Sequence, residues 1–165
     1  GADIDTLTLD VSMASAGVRM FYWGNGWTRL QASDGSYTAD MANIEKFNFL
    51  GSARTDRAYG FDQTDTLNGR AGTDFLNGGA GNDVLTGGAG ADRFVMLEPA
   101  GRVVIRDFAR GSDLIDLSTI PMLYSDRQLQ ITQQDWGAEI RLGSLVIVIE
   151  TDDFNPLTQS LRLSA

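Results

Sequence analysis

A nine-residue repeat in the middle of the chain constrains the fold more than any other feature of the sequence. From Gly60 the sequence reads GFDQTDTLN, GRAGTDFLN, GGAGNDVLT and GGAGADRFV, with Asp at the sixth position and an apolar residue at the eighth. The preceding segment GSARTDRAY keeps the register with Asp56 and Ala58. A flexible Gly-rich linker would not hold two residue types nine apart over successive units. The pattern therefore predicts a regular, stacked structure.

Each repeat combines a loop with a short strand. Several glycines within four residues suit a loop with positive φ and close backbone approach. The three residues after each Asp are predicted to form a strand whose middle side chain points inward. Two units, eighteen residues, then make one full coil, so that loops two repeats apart stack on the same edge. We expect Asp residues eighteen apart to be neighbours.

The repeat Gly-Gly-x-Gly-x-Asp-x-apolar-x resembles the calcium-binding nonapeptide of RTX proteins. Flanking segments extend the resemblance. DTLTLDVS (5–12), GVRMFY (17–22) and IEKFNFLGSARTDRAYG (44–60) are similar to RTX lead-in segments, and the stretch from Asp107 to Ser118 is similar to the segment that follows the repeats in serralysin-type proteases and alginate-epimerase R-modules. The resemblance implies an all-β fold: a right-handed parallel β-roll with calcium in its loops, capped by antiparallel strands at the C-terminal end.

Calcium fits such stacked loops. Neighbouring strands lie about 4.8 Å apart, and calcium takes oxygen ligands at roughly half that distance. In the family, one loop supplies the carbonyls of positions two and four plus its Asp, and the loop two repeats on supplies the carbonyls of positions one and three plus its Asp. The best site carried onto this chain joins Arg70, Gly72 and Asp74 to Gly87, Ala89 and Asp92.

Further sites follow from the same resemblance. One joins Phe61, Gln63 and Asp65 to Gly78, Ala80 and Asp83, and another joins Ser52, Arg54 and Asp56 to Gly69, Ala71 and Asp74. Gly79 and Gly81 with Asp83, and Gly88 and Gly90 with Asp92, need partners from the segment after the repeats, where Asp113 matches the family and Val103 replaces an acid. Gln63 and Arg54 replace glycine at position four, so we expect strain to weaken their sites. The expected count is about three calcium ions, within a range of two to five.

Composition narrows the function. The formal net charge of the 165-residue chain is −9, with the acids concentrated in the repeats, which favours cations over nucleic acid or an anionic membrane. No apolar run is long enough to span a membrane. The absence of His and Cys removes the commonest general base and all disulfides, so we interpret the chain as non-catalytic. Bound calcium would then stabilise an extracellular domain that has no disulfide.

The chain is interpreted as a single domain: a degenerate β lead-in (1–50), the calcium repeats (51–95) and a β cap (96–165). It begins at Gly1 without Met, and we expect it to be part of a longer protein. After the repeats, strands are expected over 102–105, 129–132, 138–142 and 145–149, with a short helix over 156–161.

The leading functional hypothesis is a calcium-binding β-roll module of a secreted, extracellular RTX protein that folds on calcium binding after type I export, with the type I secretion machinery as a partner. One alternative is an accessory module that binds an extracellular polysaccharide beside a catalytic domain, and another is a structural part of an adhesin or surface layer. The aromatic segment from Phe21 to Trp27 bears on this choice, because its rings either pack on the first coils or form a sugar platform. We expect packing for at least one of Trp23 and Trp27.

Overall fold

A computed structural model describes residues 3–22, 27–97, 101–120, 123, 128–151 and 161–162. The described part is built of β-strands. In chain order these are β1 (Thr6–Asp10), β2 (Val18–Tyr22), β3 (Trp27–Ala32), β4 (Thr38–Ala42), β5 (Lys46–Leu50), β6 (Arg57–Tyr59), β7 (Thr66–Asn68), β8 (Ala71–Gly72), β9 (Phe75–Asn77), β10 (Asn82–Thr86), β11 (Ala89–Gly90), β12 (Arg93–Val95), β13 (Arg102–Ile105), β14 (Leu114–Asp116), β15 (Gln130–Gln134), β16 (Gly137–Leu142), β17 (Leu145–Glu150) and β18 (Leu161–Arg162).

Two large sheets form the roll, as the repeat predicts. Sheet A has the strand order β1-β5-β7-β10-β13-β17-β16-β15, and sheet B has the order β18-β14-β12-β9-β6-β2-β3-β4. The chain alternates between the two sheets. In sheet A, neighbouring strands pair in parallel along the series β1, β5, β7, β10, β13 and β17. In sheet B, they pair in parallel along the series β2, β6, β9, β12, β14 and β18. The parallel β-roll is confirmed, and it extends beyond the repeats in both directions.

The register shows that two repeats make one coil. Leu67 pairs with Leu85 in sheet A, and Ala58 pairs with Leu76 in sheet B. These partners are eighteen residues apart. After the repeats the coil lengthens, since Arg93 pairs with Leu114. The strict period therefore ends where the Gly-rich motif ends, although the roll continues.

The core is a column of apolar side chains, one from each short strand. The eighth position of every repeat is buried: Ala58, Leu67, Leu76, Leu85 and Phe94 are each fully inaccessible. Burial of one such Leu or Phe contributes about 1.5–3 kcal/mol.

Antiparallel strands cover both ends of the roll. β2, β3 and β4 form an antiparallel meander at the N-terminal end of sheet B. β15, β16 and β17 do the same at the C-terminal end of sheet A, which agrees with the predicted cap. The helix expected over 156–161 lies outside the described residues, except that Leu161 begins β18. No helix long and apolar enough to cross a bilayer is found in the described ranges.

Candidate metal centre

The repeat aspartates form a buried ladder along one edge of the roll. Asp56, Asp74, Asp92 and Asp113 are at most 6% exposed. The Oδ1 atom of each accepts a hydrogen bond from a backbone N–H one coil earlier. Asp56 N donates to Asp74 at 2.8 Å, Asp74 N to Asp92 at 2.9 Å, and Asp92 N to Asp113 at 3.0 Å. Each carboxylate therefore ties two coils together, and the sequence predicted this stacking correctly.

A shorter ladder runs along the opposite edge. Asp83 Oδ1 accepts from Asp65 N at 3.0 Å, and Asp65 Oδ1 accepts from Phe47 N at 2.5 Å. The next coil places Val103 directly opposite Asp83. No carboxylate among the described residues continues this ladder, which agrees with the departure from the family noted at Val103.

Three loops leave the second carboxylate oxygen unpaired, and we call them open loops: 69–74, 78–83 and 87–92. The Oδ2 atoms of Asp74, Asp83 and Asp92 are buried and have no hydrogen-bond partner in the described structure. Each open loop has positive φ at position two (71° at Arg70, 84° at Gly79, 93° at Gly88) and at position four (134° at Gly72, 109° at Gly81, 146° at Gly90).

The second oxygen is free because the N–H at position two points elsewhere. Arg70 N donates to Asn68 Oδ1 at 2.9 Å, and Gly79 N donates to Asn77 Oδ1 at 2.7 Å. An Asn that precedes the loop thus captures the donor in a local side-chain turn.

In the third open loop, the N–H at position two donates instead to Asp107, which belongs to the following coil. Its two carboxylate oxygens accept from Gly87 N at 2.9 Å and from Gly88 N at 2.7 Å.

Two other repeats form closed loops, 51–56 and 60–65. There the N–H at position two donates to the Asp of its own loop: Ser52 N to Asp56 Oδ2 at 2.7 Å, and Phe61 N to Asp65 Oδ2 at 2.5 Å. Arg54 and Gln63 stand at position four, and neither has positive φ. The strain expected at these two positions is therefore not found, and the weakening of their sites stays a prediction. The loop before Asp113 is closed in the same way, by Ala109 N at 2.8 Å.

Glycine at position one leaves room for the carboxylate. A Cβ on Gly69, Gly78 or Gly87 would lie 2.3–2.4 Å from the Oδ2 atom of that loop's own Asp. Such a distance is far inside van der Waals contact. Any side chain at these positions would displace the carboxylate.

Backbone carbonyls of one loop point at the loop stacked upon it. A Cβ on Gly88 would lie 1.9 Å from the carbonyl oxygen of Arg70, and one on Gly90 would lie 1.6 Å from that of Gly72. Ala89 N donates to Arg70 O at 2.7 Å. The structure therefore stacks the predicted loop 70–74 on the predicted loop 87–92. The loops 61–65 and 78–83 are stacked likewise, since Ala80 N donates to Phe61 O at 2.9 Å.

Burial of the ladder carboxylates disfavours their charged form when no cation is bound. Burial raises the pKa of Asp74 and of Asp83 to about 7, and the neighbouring carboxylates of Asp56 and Asp92 add to the effect at Asp74. Burial raises the pKa of Asp65 to about 6. Burial also raises the pKa values of Asp56, Asp92 and Asp113.

The donor set fits a hard cation. Within the described ranges, no three acidic, His or Cys side chains are grouped closely enough to hold a metal by themselves. Backbone carbonyls must therefore complete any ion site, together with the unpaired carboxylate oxygens. Carboxylate and carbonyl oxygens are the ligands that calcium takes.

Sequence reasoning missed the residues that decide whether a loop is open. Asn68 and Asn77 recur nine apart, directly before the first glycine of a loop, and this signal was available. Asp107 gave no comparable signal, because it reaches Gly87 from a coil of irregular length.

A comparison with known protein families agrees with this geometry. A family model described as the RTX calcium-binding nonapeptide repeat matches residues 51–94 in four copies. Similar solved structures include that of the extracellular lipase LipA from Serratia marcescens, which is 15% identical with a TM-score of 0.43. The match covers 99% of this chain and 33% of the lipase chain, so this chain spans about a third of that enzyme's length. No curated protein matches the chain. The repeat match and the parallel coils together identify residues 51–94 as RTX calcium-binding repeats within a parallel β-roll.

Proposed function

We propose that this domain is a calcium-triggered folding module of a secreted protein that leaves the cell unfolded through a type I secretion channel. The observation that carries the proposal is the set of buried, unpaired Oδ2 atoms of Asp74, Asp83 and Asp92. Where calcium is scarce, the buried carboxylates oppose folding. Where calcium is abundant, binding energy becomes folding energy.

We assign the strongest site to Arg70, Gly72 and Asp74 together with Gly87, Ala89 and Asp92. Among the loops that the structure describes, it is the one place where two open loops stack directly on one another. The sites that use Ser52, Arg54 and Asp56, or Phe61, Gln63 and Asp65, are weaker, because hydrogen bonds already occupy the second carboxylate oxygen of each closed loop. About three ions would change the net charge from −9 to about −3, at two charges per calcium.

Removal of calcium tests this proposal. In chelator, far-UV circular dichroism should lose its β signal, and the signal should return on addition of calcium. An equal concentration of magnesium should not restore it, since magnesium prefers a smaller, octahedral and water-rich shell. A spectrum that is unchanged in chelator would show that ions do not hold the fold.

We also propose, as a second function, that the domain holds a polysaccharide for a larger protein. The supporting observation is the exposure of aromatic rings on the outer face of the N-terminal hairpin: Phe21 is 41% and Trp27 is 52% exposed. Trp27 is therefore not a packing residue, and the expectation that at least one of Trp23 and Trp27 packs stays a prediction. Trp23 lies outside the described residues. We propose no catalytic role for the domain, whose sequence has neither His nor Cys.

A further inference from the structure

A cavity of about 420 Å³ lies where the N-terminal hairpin meets the loop edge of the roll. Met20 and Thr28 of the hairpin form one wall, and Tyr59 and Phe61 form another. Leu97 contributes a further apolar surface. The volume of the cavity falls within the range of small-molecule sites, about 300–1,000 Å³.

Two polar side chains in this cavity are buried without a hydrogen-bond partner. Thr28 is 4% and Asn77 is 2% exposed, and the unpaired atoms are Thr28 Oγ1 and Asn77 Nδ2. The Asn77 amide is oriented by Gly79 N, which donates to its Oδ1 atom at 2.7 Å, so the NH2 group is the free end. A buried polar group without a hydrogen-bond partner has a free-energy cost in the folded chain. A ligand that pairs with both would recover this cost.

The charges that line the cavity restrict the charge of a ligand that could bind there. Glu45 and Asp62 line it, and none of its described lining residues is Lys or Arg. Two carboxylates disfavour an anion. The free NH2 group of Asn77 needs an acceptor, which a simple ammonium ion lacks. The ligand must therefore carry both donors and acceptors without negative charge, and it must present an apolar face to Tyr59 and Phe61.

We propose that the cavity binds a neutral sugar ring, with hydroxyl groups paired to Thr28 Oγ1 and Asn77 Nδ2. This inference rests on the second proposed function and names a ligand class and a site for it, which is lined by Met20 and Thr28 and not by the exposed rings of Phe21 and Trp27. Gly60, Phe61, Gly79 and Ala80 of the stacked loops also line the cavity. The site is therefore complete only when these loops are folded.

Titration calorimetry on the calcium-loaded chain tests the proposal. The probes are neutral hexose and N-acetylhexosamine oligosaccharides. Uronate oligosaccharides serve as the anionic comparison ligand, and choline serves as the cationic one. The Thr28→Val variant removes the hydroxyl group at nearly constant volume. It should weaken binding of the neutral sugar about tenfold, the value of one hydrogen bond, while the thermal midpoint stays equal or rises. Tyr59→Ala should weaken the same binding through loss of the aromatic wall.

Thr38→Val is the matched control, since Thr38 is exposed in β4 and does not line the cavity. Calcium-induced circular dichroism is recorded on every sample, so that loss of folding is distinguished from loss of sugar binding. A chain that folds in calcium but binds no neutral sugar overturns the proposal and leaves calcium-triggered folding intact. Binding of uronates alone would keep the polysaccharide function and overturn this site. Sugar binding unchanged in both cavity variants would also overturn it.

Discussion

At the scale of single residues, the second oxygen of a buried carboxylate distinguishes Asp74 from Asp56. Both side chains are inaccessible to solvent, and both accept a backbone N–H through Oδ1. Asp56 Oδ2 also accepts from Ser52 N and from the Ser52 hydroxyl, whereas Asp74 Oδ2 has no partner within the described structure. Only the latter atom needs a cation.

Asp74→Asn should therefore impair calcium binding more than Asp56→Asn does. Asn keeps the acceptor for the backbone N–H and removes the charge. We expect Asp74→Asn to raise the calcium midpoint at least tenfold, about 1.4 kcal/mol for a lost charged ligand, and Asp56→Asn to raise it less than about threefold. Calcium titrations followed by circular dichroism measure both. Equal shifts would contradict the division into open and closed loops.

At the scale of the element, the residue before the loop directs the backbone of two of the open loops. Leu50 and Asn68 are cross-strand partners, one coil apart. The loop after Leu50 is closed, and the loop after Asn68 is open. The same relation holds for Tyr59 and Asn77. An Asn at this place captures the N–H of position two and leaves the carboxylate oxygen free for an ion.

Asn68→Leu should convert an open loop towards the closed form. Arg70 N would lose its acceptor and turn to Asp74 Oδ2. We expect a calcium midpoint raised about three- to tenfold, the value of one hydrogen bond. Asn48→Leu is the control, because Asn48 lies on the same sheet and its side chain makes a long hydrogen bond of 3.4 Å to Thr8 within the described part of the chain. Similar titration curves for the two variants would show that Asn68 does not set the loop conformation.

At the scale of the whole molecule, the carboxylate ladders make metal-free folding depend on pH. An unfolded Asp loses its proton near pH 4, whereas the folded pKa values of Asp74 and Asp83 are about 7 and that of Asp65 is about 6. Between these values the folded chain binds more protons than the unfolded chain. The stability of the metal-free roll must therefore fall as the pH rises from about 4 to about 7.

In calcium-free buffer, we expect more β signal at about pH 5 than at about pH 8. Calcium has to displace protons from the folded sites, so the calcium midpoint should rise as the pH falls. Circular dichroism at both pH values, with and without calcium, measures these opposite trends. A metal-free signal that increases with pH would show that protons do not stabilise the buried carboxylates.

The sequence alone determined the coil. Asp and an apolar residue at nine-residue spacing specify a loop and a short strand, and repetition of one local geometry stacks Asp56, Asp74 and Asp92 without further information. The departures at Arg54, Gln63 and Val103 were also visible in the sequence.

The tertiary structure decided which carboxylates remain unpaired and where a cavity forms. Both depend on groups that periodicity does not relate: Asp107 reaches Gly87 across an irregular coil, and Thr28 of the N-terminal hairpin lines the same cavity as Asn77 of the repeats. A repeat specifies its own neighbours because each unit presents the same backbone to the next. Contacts between a repeat and a non-repeating segment depend on packing of the whole chain.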